Sequence, residues 1–204
     1  WATPLVLEHS GRTQVITAAS DFVRSYDLDS GEIIWQCGGL TGNVTPCPVV
    51  DGDFVICMSG YQGHAAVAIP LTETGDISRS EKLRWSTDRG TPYIPSPLLY
   101  DGLLYINQSN QGILRCLDSK TGEVVFGPER LNGISNIYAS PVGAAQRVYI
   151  PGRDGATFVL KHSGKFEPVA TNQLDERFDA SPAVVGRNLF LRGEQHLYCI
   201  EESR

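Results

Sequence analysis

Arginine, asparagine, tyrosine and aspartate gather at two recurring places in this chain. One set lies just ahead of short apolar runs that open on proline: Asn43, Arg89, Tyr93, Asn136, Tyr138, Arg177, Phe178 and Asp179. The other follows the most apolar runs: Tyr61, His64, Asn107, Asn110, Gln111, Arg153, Asp154, Arg192 and Glu194. Guanidinium and amide groups donate directed hydrogen bonds, and carboxylates accept them. Brought together on one surface, such groups hold a small acidic ligand or a peptide without covalent chemistry. The candidate ligand-binding residues are Asn43, Arg89, Tyr93, Asn136, Tyr138, Arg153, Asp154, Arg177 and Asp179. Against them stands a plainer reading, a solvated loop rim with aromatic packing.

Other chemistries find little support. The five cysteines (Cys37, Cys47, Cys57, Cys116, Cys199) contain no C-x-x-C pair, so neither a zinc knuckle nor a redox motif is expected. They read as small buried hydrophobes, with a Cys37–Cys47 disulfide open in an oxidising compartment. The four histidines are scattered without metal-ligand spacing, and no metal site is expected. No serine nucleophile elbow and no glycine-rich nucleotide loop occurs. Asn43-Val44-Thr45 and Asn107-Gln108-Ser109 match the glycosylation pattern and read as chance. A formal net charge of −6 with no Lys/Arg block argues against a nucleic-acid partner. Apolar runs are strand-sized, so no membrane-spanning segment is expected. The chain begins at Trp1 rather than Met, which reads as a piece of something longer.

What positions the candidate residues is a repeat. A small residue followed by Pro opens an apolar run five times, at Pro4, Pro48, Pro97, Pro141 and Pro182, at spacings of 44, 49, 44 and 41 residues. That period is the length of a four-stranded propeller blade. Proline suits the first residue of a strand, where its missing N–H breaks no ladder bond. Tight turns follow, at Asp51-Gly52, Asp101-Gly102 and Gly186-Arg187-Asn188. Second strands are the most apolar, as in Phe54–Met58, and third strands alternate, as in Ile113–Asp118. No segment has a helical period, and Thr72 to Lys82 reads as an extended turn inside the second unit. The expected fold is all-β, a β-propeller of four-stranded antiparallel blades: four complete units and a partial fifth in one domain, 1–204. Approximate blades run 1–44, 45–93, 94–138, 139–179 and 180–204. An aromatic recurs ahead of the proline pairs, at Trp1, Tyr93, Tyr138 and Phe178.

The turn into the fourth strand carries a family likeness. Tyr26-Asp27-Leu28-Asp29-Ser30-Gly31-Glu32-Ile33-Ile34-Trp35 resembles the PQQ-like, quinoprotein-type repeat, in which an Asp-x-x-Thr-Gly turn leads to a strand ending in Trp. Cys116 to Phe126 matches it with Phe in the Trp place. The second unit keeps Gly75 and Trp85 around an insertion, and the fourth keeps only Ser163-Gly164, without the aromatic. Trp35, Trp85 and Phe126 are therefore expected to dock neighbouring sheets, since an aromatic buries ~150–250 Å².

The resemblance implies a fragment of a seven- or eight-bladed ring whose exposed faces drive self-association. It also implies a periplasmic or extracytoplasmic home. Family dehydrogenases use PQQ with calcium and often carry two adjacent cysteines. This chain has no such pair and no dense Glu/Asn/Asp set. The favoured expectation is a non-catalytic scaffold with a protein or peptide partner and no cofactor, similar to the branch that serves outer-membrane β-barrel assembly. The alternative is a PQQ- and calcium-dependent alcohol or sugar dehydrogenase, or a degenerate relative of one.

Overall fold

The computed structural model describes residues 2–78 and 80–201. Trp1, named in the sequence reading, lies outside them, as does the end of the 180–204 unit. Twenty strands form five sheets, and no helix occurs among the described residues. The first sheet holds β1 (Leu5–His9), β2 (Arg12–Ala18), β3 (Val23–Asp27) and β4 (Ile33–Cys37). The second holds β5 (Val49–Asp51), β6 (Phe54–Ser59), β7 (Ala65–Pro70) and, after the insertion that contains β8 (Gly75–Asp76), β9 (Trp85–Thr87). The third holds β10 (Leu98–Tyr100), β11 (Leu103–Asn107), β12 (Ile113–Asp118) and β13 (Val124–Arg130). The fourth holds β14 (Val142–Ala144), β15 (Arg147–Pro151), β16 (Ala156–Lys161) and β17 (Pro168–Gln173). The fifth holds β18 (Ala183–Val185), β19 (Asn188–Arg192) and β20 (Leu197–Glu201). Strands within each blade pair antiparallel with their sequence neighbours. The short first strands β5, β10, β14 and β18 stand side by side, as they do around a propeller axis.

The second strands β6 and β11 are largely apolar because both of their faces are buried. In β6, Phe54, Ile56 and Met58 pack toward the third sheet, while Val55 and Cys57 pack toward the first. Hydroxyl groups bind the inner strands into register. The backbone N–H of Cys47 donates to the Ser96 hydroxyl (3.0 Å), Ser96 N–H to Ser140 (2.9 Å), and Ser140 N–H to Ser181 (2.9 Å). Each bond spans one repeat, which accounts for serine beside these prolines.

The outer strands interlock through aromatics. Trp85 of the second sheet donates from its indole N–H to the Ser119 carbonyl of the third (2.8 Å) and lies on Gly122. Any side chain at Gly122 would meet the indole, with an added Cβ 2.6 Å from Cδ2. Glycine and tryptophan of the repeat therefore serve each other across neighbouring blades. Trp35 is wholly buried between the first two sheets, and Phe126 sits 5.9 Å from the Phe166 ring of the fourth. Ala170 takes the corresponding place in β17, opposite Val159, and Ala144 stands where β10 has Tyr100. A cleft of about 340 Å³ lies between the fourth and fifth sheets, lined in part by Ala144, Tyr149, Val184, Leu189 and Ile200.

The insertion differs from its sequence reading. Thr72 to Lys82 does not stay in the second blade. Gly75–Asp76 crosses back and pairs parallel with β4, making a fifth strand on the first sheet. Ile77, 1% exposed, anchors the crossing in the core of the first two sheets. The cysteines are free. Cys37, Cys57 and Cys116 are buried, Cys47 is half-buried and Cys199 is exposed, so burial describes three of the five. Asn107, 1% exposed, is closed off from glycosylation.

Candidate functional site

Two kinds of loop share one end of the blades: those joining second to third strands, and the segments leading into each first strand. Backbone bonds stitch them together. Ser109 N–H donates to the Thr91 carbonyl (2.9 Å) and Tyr93 N–H to the Ser109 carbonyl (3.1 Å). Ile137 N–H donates to the Asn110 carbonyl (2.8 Å), Arg153 N–H to Asn136 (2.9 Å) and Glu194 N–H to Arg177 (3.0 Å). These loops are thus a pinned platform rather than free excursions.

In the loops that adjoin the fourth and fifth sheets the platform gathers four candidates. The Arg153 guanidinium lies over the Tyr138 ring, 3.7 Å from its centroid. Its Nε and Nη2 donate to the two carboxylate oxygens of Asp179, at 2.5 and 3.2 Å. Arg177 Nη2 also approaches Asp179 Oδ2, at 3.2 Å. Stacking, bidentate pairing and a second cation fix the carboxylate and leave it about half exposed. Beside it lies a hollow of about 170 Å³ lined by Arg177, Asp179, Ala180, Arg192, Gly193 and Glu194.

The other candidates lie elsewhere. Asp154 turns toward the segment that leads into β14 and accepts the Ser135 N–H and hydroxyl, both at 3.0 Å. Asn136 acts through its backbone, bridged to Gln111. Tyr93 stacks on Tyr61 with centroids 4.9 Å apart, beside His64 bound to Thr91 (3.2 Å). Arg89 is 83% exposed and pairs loosely with Asp88. Asn43 takes a positive φ of 54° and donates its N–H to the Ser20 hydroxyl (3.1 Å).

Glu176 belongs to this site and escaped the sequence reading. Its buried carboxylate accepts the N–H groups of Gln195 (3.3 Å) and His196 (3.0 Å) and faces His196 Nδ1 (3.1 Å). Burial alone would raise its pKa; these hydrogen bonds outweigh it and hold the carboxyl below its ordinary value. Only glycine fits at 193, where an added Cβ would lie within bonding reach of the Glu176 side chain. Adjacent Glu and Arg at 176–177 carry no spacing signal that could have revealed this.

Among the described residues, no three His, Cys, Asp or Glu side chains come together as a metal site. No helix is long and apolar enough to cross a membrane, which leaves strand-built spans aside.

A family model, that of the outer membrane protein assembly factor BamB, matches residues 2–127, more than half of the chain. The chain belongs to the BamB family. No curated protein matches it. Among solved structures, BamB from Moraxella catarrhalis is 21% identical, with a TM-score of 0.69 over 97% of this chain and 57% of that one. The computationally designed Ika8 protein is 11% identical, with a TM-score of 0.67 over 96% of this chain and 57% of that one. The designed Ika4 protein is also 11% identical, with a TM-score of 0.62 over 85% of this chain and 99% of its own. At these identities the likeness is one of fold. The chain spans 57% of the BamB structure, a PQQ-like propeller, and shares its all-β blade architecture.

Proposed function

We propose that this chain is an arc of a non-catalytic scaffold propeller that holds a protein or peptide partner, in an extracytoplasmic compartment, on the loop platform around Tyr138, Arg153, Arg177 and Asp179. The convergence of these four side chains, from loops that adjoin two neighbouring sheets, beside a hollow carries the reading. Tyrosine and arginine held rigid on a surface are the residues that dominate protein interfaces. Membership in the BamB family supports a partner drawn from outer-membrane protein assembly.

The test is the affinity of a purified assembly component that binds the unmodified protein. Tyr138→Ala and Arg153→Ala should each weaken it by ~1–3 kcal/mol, which is roughly 5- to 150-fold. Lys120→Ala, in the turn at the opposite end of the third blade, should leave it unchanged. Equal affinities for all variants would overturn the proposal.

No cofactor enters this reading. Stoichiometric, calcium-dependent heat on titrating PQQ into the protein would replace it with the dehydrogenase alternative. Taken alone, the chain also self-associates in this reading. Among the described residues β20 pairs with β19 alone, and its Leu197 and Ile200 are 65% and 45% exposed. A monomer mass by light scattering across a concentration series would refute that part.

A further inference from the structure

The outer strands of the blades protect their edges in different ways. A strand edge presents unpaired N–H and C=O groups, and proteins blunt it with proline, charge, brevity or cover. β13 carries Pro128, Glu129 and Arg130. β17 opens on Pro168 and ends Thr171-Asn172-Gln173. β9 is only three residues long and is flanked by Arg84 and Asp88. β4, Ile33-Ile34-Trp35-Gln36-Cys37, has five residues, no proline and no charge. Among the outer strands it is the one whose own sequence leaves it ready to pair, and it is the one the 72–82 insertion covers.

The cover is made bond by bond. Trp35 and Gln36 pair with Gly75 and Asp76. Ile77 N–H donates to the Gln36 carbonyl (2.9 Å), and the Gln36 amide donates to Asp76 (3.0 Å). Past the strand, Gly38 N–H donates to the Ser78 hydroxyl (2.7 Å). Ile77 plugs into the core beside Trp35. The edge that results is two residues long and carries the Asp76 charge, so the sheet ends on a strand that offers little to pair with.

We propose that residues 75–78 are an edge guard: a strap that covers a latent pairing edge on β4 and prevents its antiparallel pairing with β4 of a second copy of this chain. The partner is a second copy because a five-residue uncharged strand matches itself. No repulsion opposes the self-pair, and its cross-strand neighbours are isoleucine, tryptophan and glutamine.

The test detaches the strap in the full chain with Ile77→Asp and Ser78→Ala and follows mass by light scattering across a concentration series. The open β20 edge is present in every variant, so each is read against the unmodified chain at the same concentration. Detachment should raise the apparent mass about twofold. Adding Gln36→Glu, which places a charge on the β4 edge, should return the mass to that of the unmodified chain. Unchanged mass on detachment would overturn the proposal. So would a raised mass that Gln36→Glu leaves in place, because the emptied Ile77 socket would then be the sticky element. If Ile77→Asp loses its β-sheet circular dichroism, Ile77→Ala with Ser78→Ala takes its place, and the same two outcomes decide.

Discussion

Gly31 and Gly122 make a controlled experiment within one molecule. Both close the same turn, with Gly31 N–H bonded to the Asp27 carbonyl and Gly122 N–H to the Asp118 carbonyl, each at 2.9 Å. Both sit in the left-handed region, at φ of 73° and 72°. Their surroundings differ. An added Cβ at Gly31 meets nothing within 4 Å, whereas at Gly122 it lies 2.6, 2.8 and 2.9 Å from three atoms of the Trp85 indole. Alanine at either site pays for a left-handed backbone, ~1–2 kcal/mol. At Gly122 it must also displace an indole that is buried and hydrogen-bonded, and overpacking of that kind costs a further ~1–3 kcal/mol. Gly31→Ala should therefore destabilise by ~1–2 kcal/mol and Gly122→Ala by ~2–5 kcal/mol, read from urea unfolding. In a Trp85→Ala background the Gly122→Ala cost should fall to the Gly31→Ala value, a coupling that a double-mutant cycle isolates. Equal costs at the two glycines, or no coupling to Trp85, would refute the interlock between neighbouring blades.

Three further outcomes follow from buried polar and thiol groups. Gln14, buried in the first sheet, accepts from the Ser25 hydroxyl (2.7 Å) and donates to the Leu71 carbonyl (3.1 Å). Gln14→Leu should destabilise by ~1–3 kcal/mol despite its greater hydrophobicity, because it strands those two partners; a higher urea midpoint would contradict this. Burial pushes the Cys37 thiol up to about 11 and the Cys116 thiol up to about 12, and raises Cys57 further. A thiol reagent at pH 8 should thus label Cys199 first and Cys47 next, with the other three reacting only after denaturation, as intact mass would show. Glu176 has a folded pKa below its ordinary 4.5, so its stabilisation is complete above that pH and fades as pH falls through the folded value. Glu176→Gln should flatten stability against pH below 4.5 and speed amide exchange at Gln195 and His196; an unchanged acid profile would contradict the assignment.

The blade period was legible because proline and Asp-Gly turns mark strand starts and hairpins by backbone geometry alone, which any sequence displays. The aromatics at 35, 85 and 126 were legible for a related reason: a residue that fills the gap between sheets must recur at the blade spacing. The serine of each Ser-Pro pair was visible, yet its role was not, since its hydroxyl serves the neighbouring blade 41 to 49 residues away. The strap was illegible because β8 is Gly75–Asp76, two residues too few to show a period, and its partner strand lies about 40 residues upstream. At the site, residue types marked the loops, but the bond between Arg153 and Asp179 joins loops of two neighbouring sheets across 26 positions. That distance depends on how neighbouring sheets are angled, which sequence spacing does not encode. Asp154 shows the converse, a residue of suitable type and place that Ser135 of the neighbouring segment consumes.

The most direct test of the central claim is where a partner touches the propeller. A photo-crosslinking amino acid placed singly at Tyr138, Arg177, Lys120 and Gln146 samples the loop platform with the first two and the opposite end with the others. The scaffold account predicts that crosslinks to an outer-membrane assembly protein form from positions 138 and 177 and are lost when Arg153→Ala is added. Crosslinks from 120 and 146 in place of 138 and 177 would contradict it, and would move the binding face to the other end of the blades.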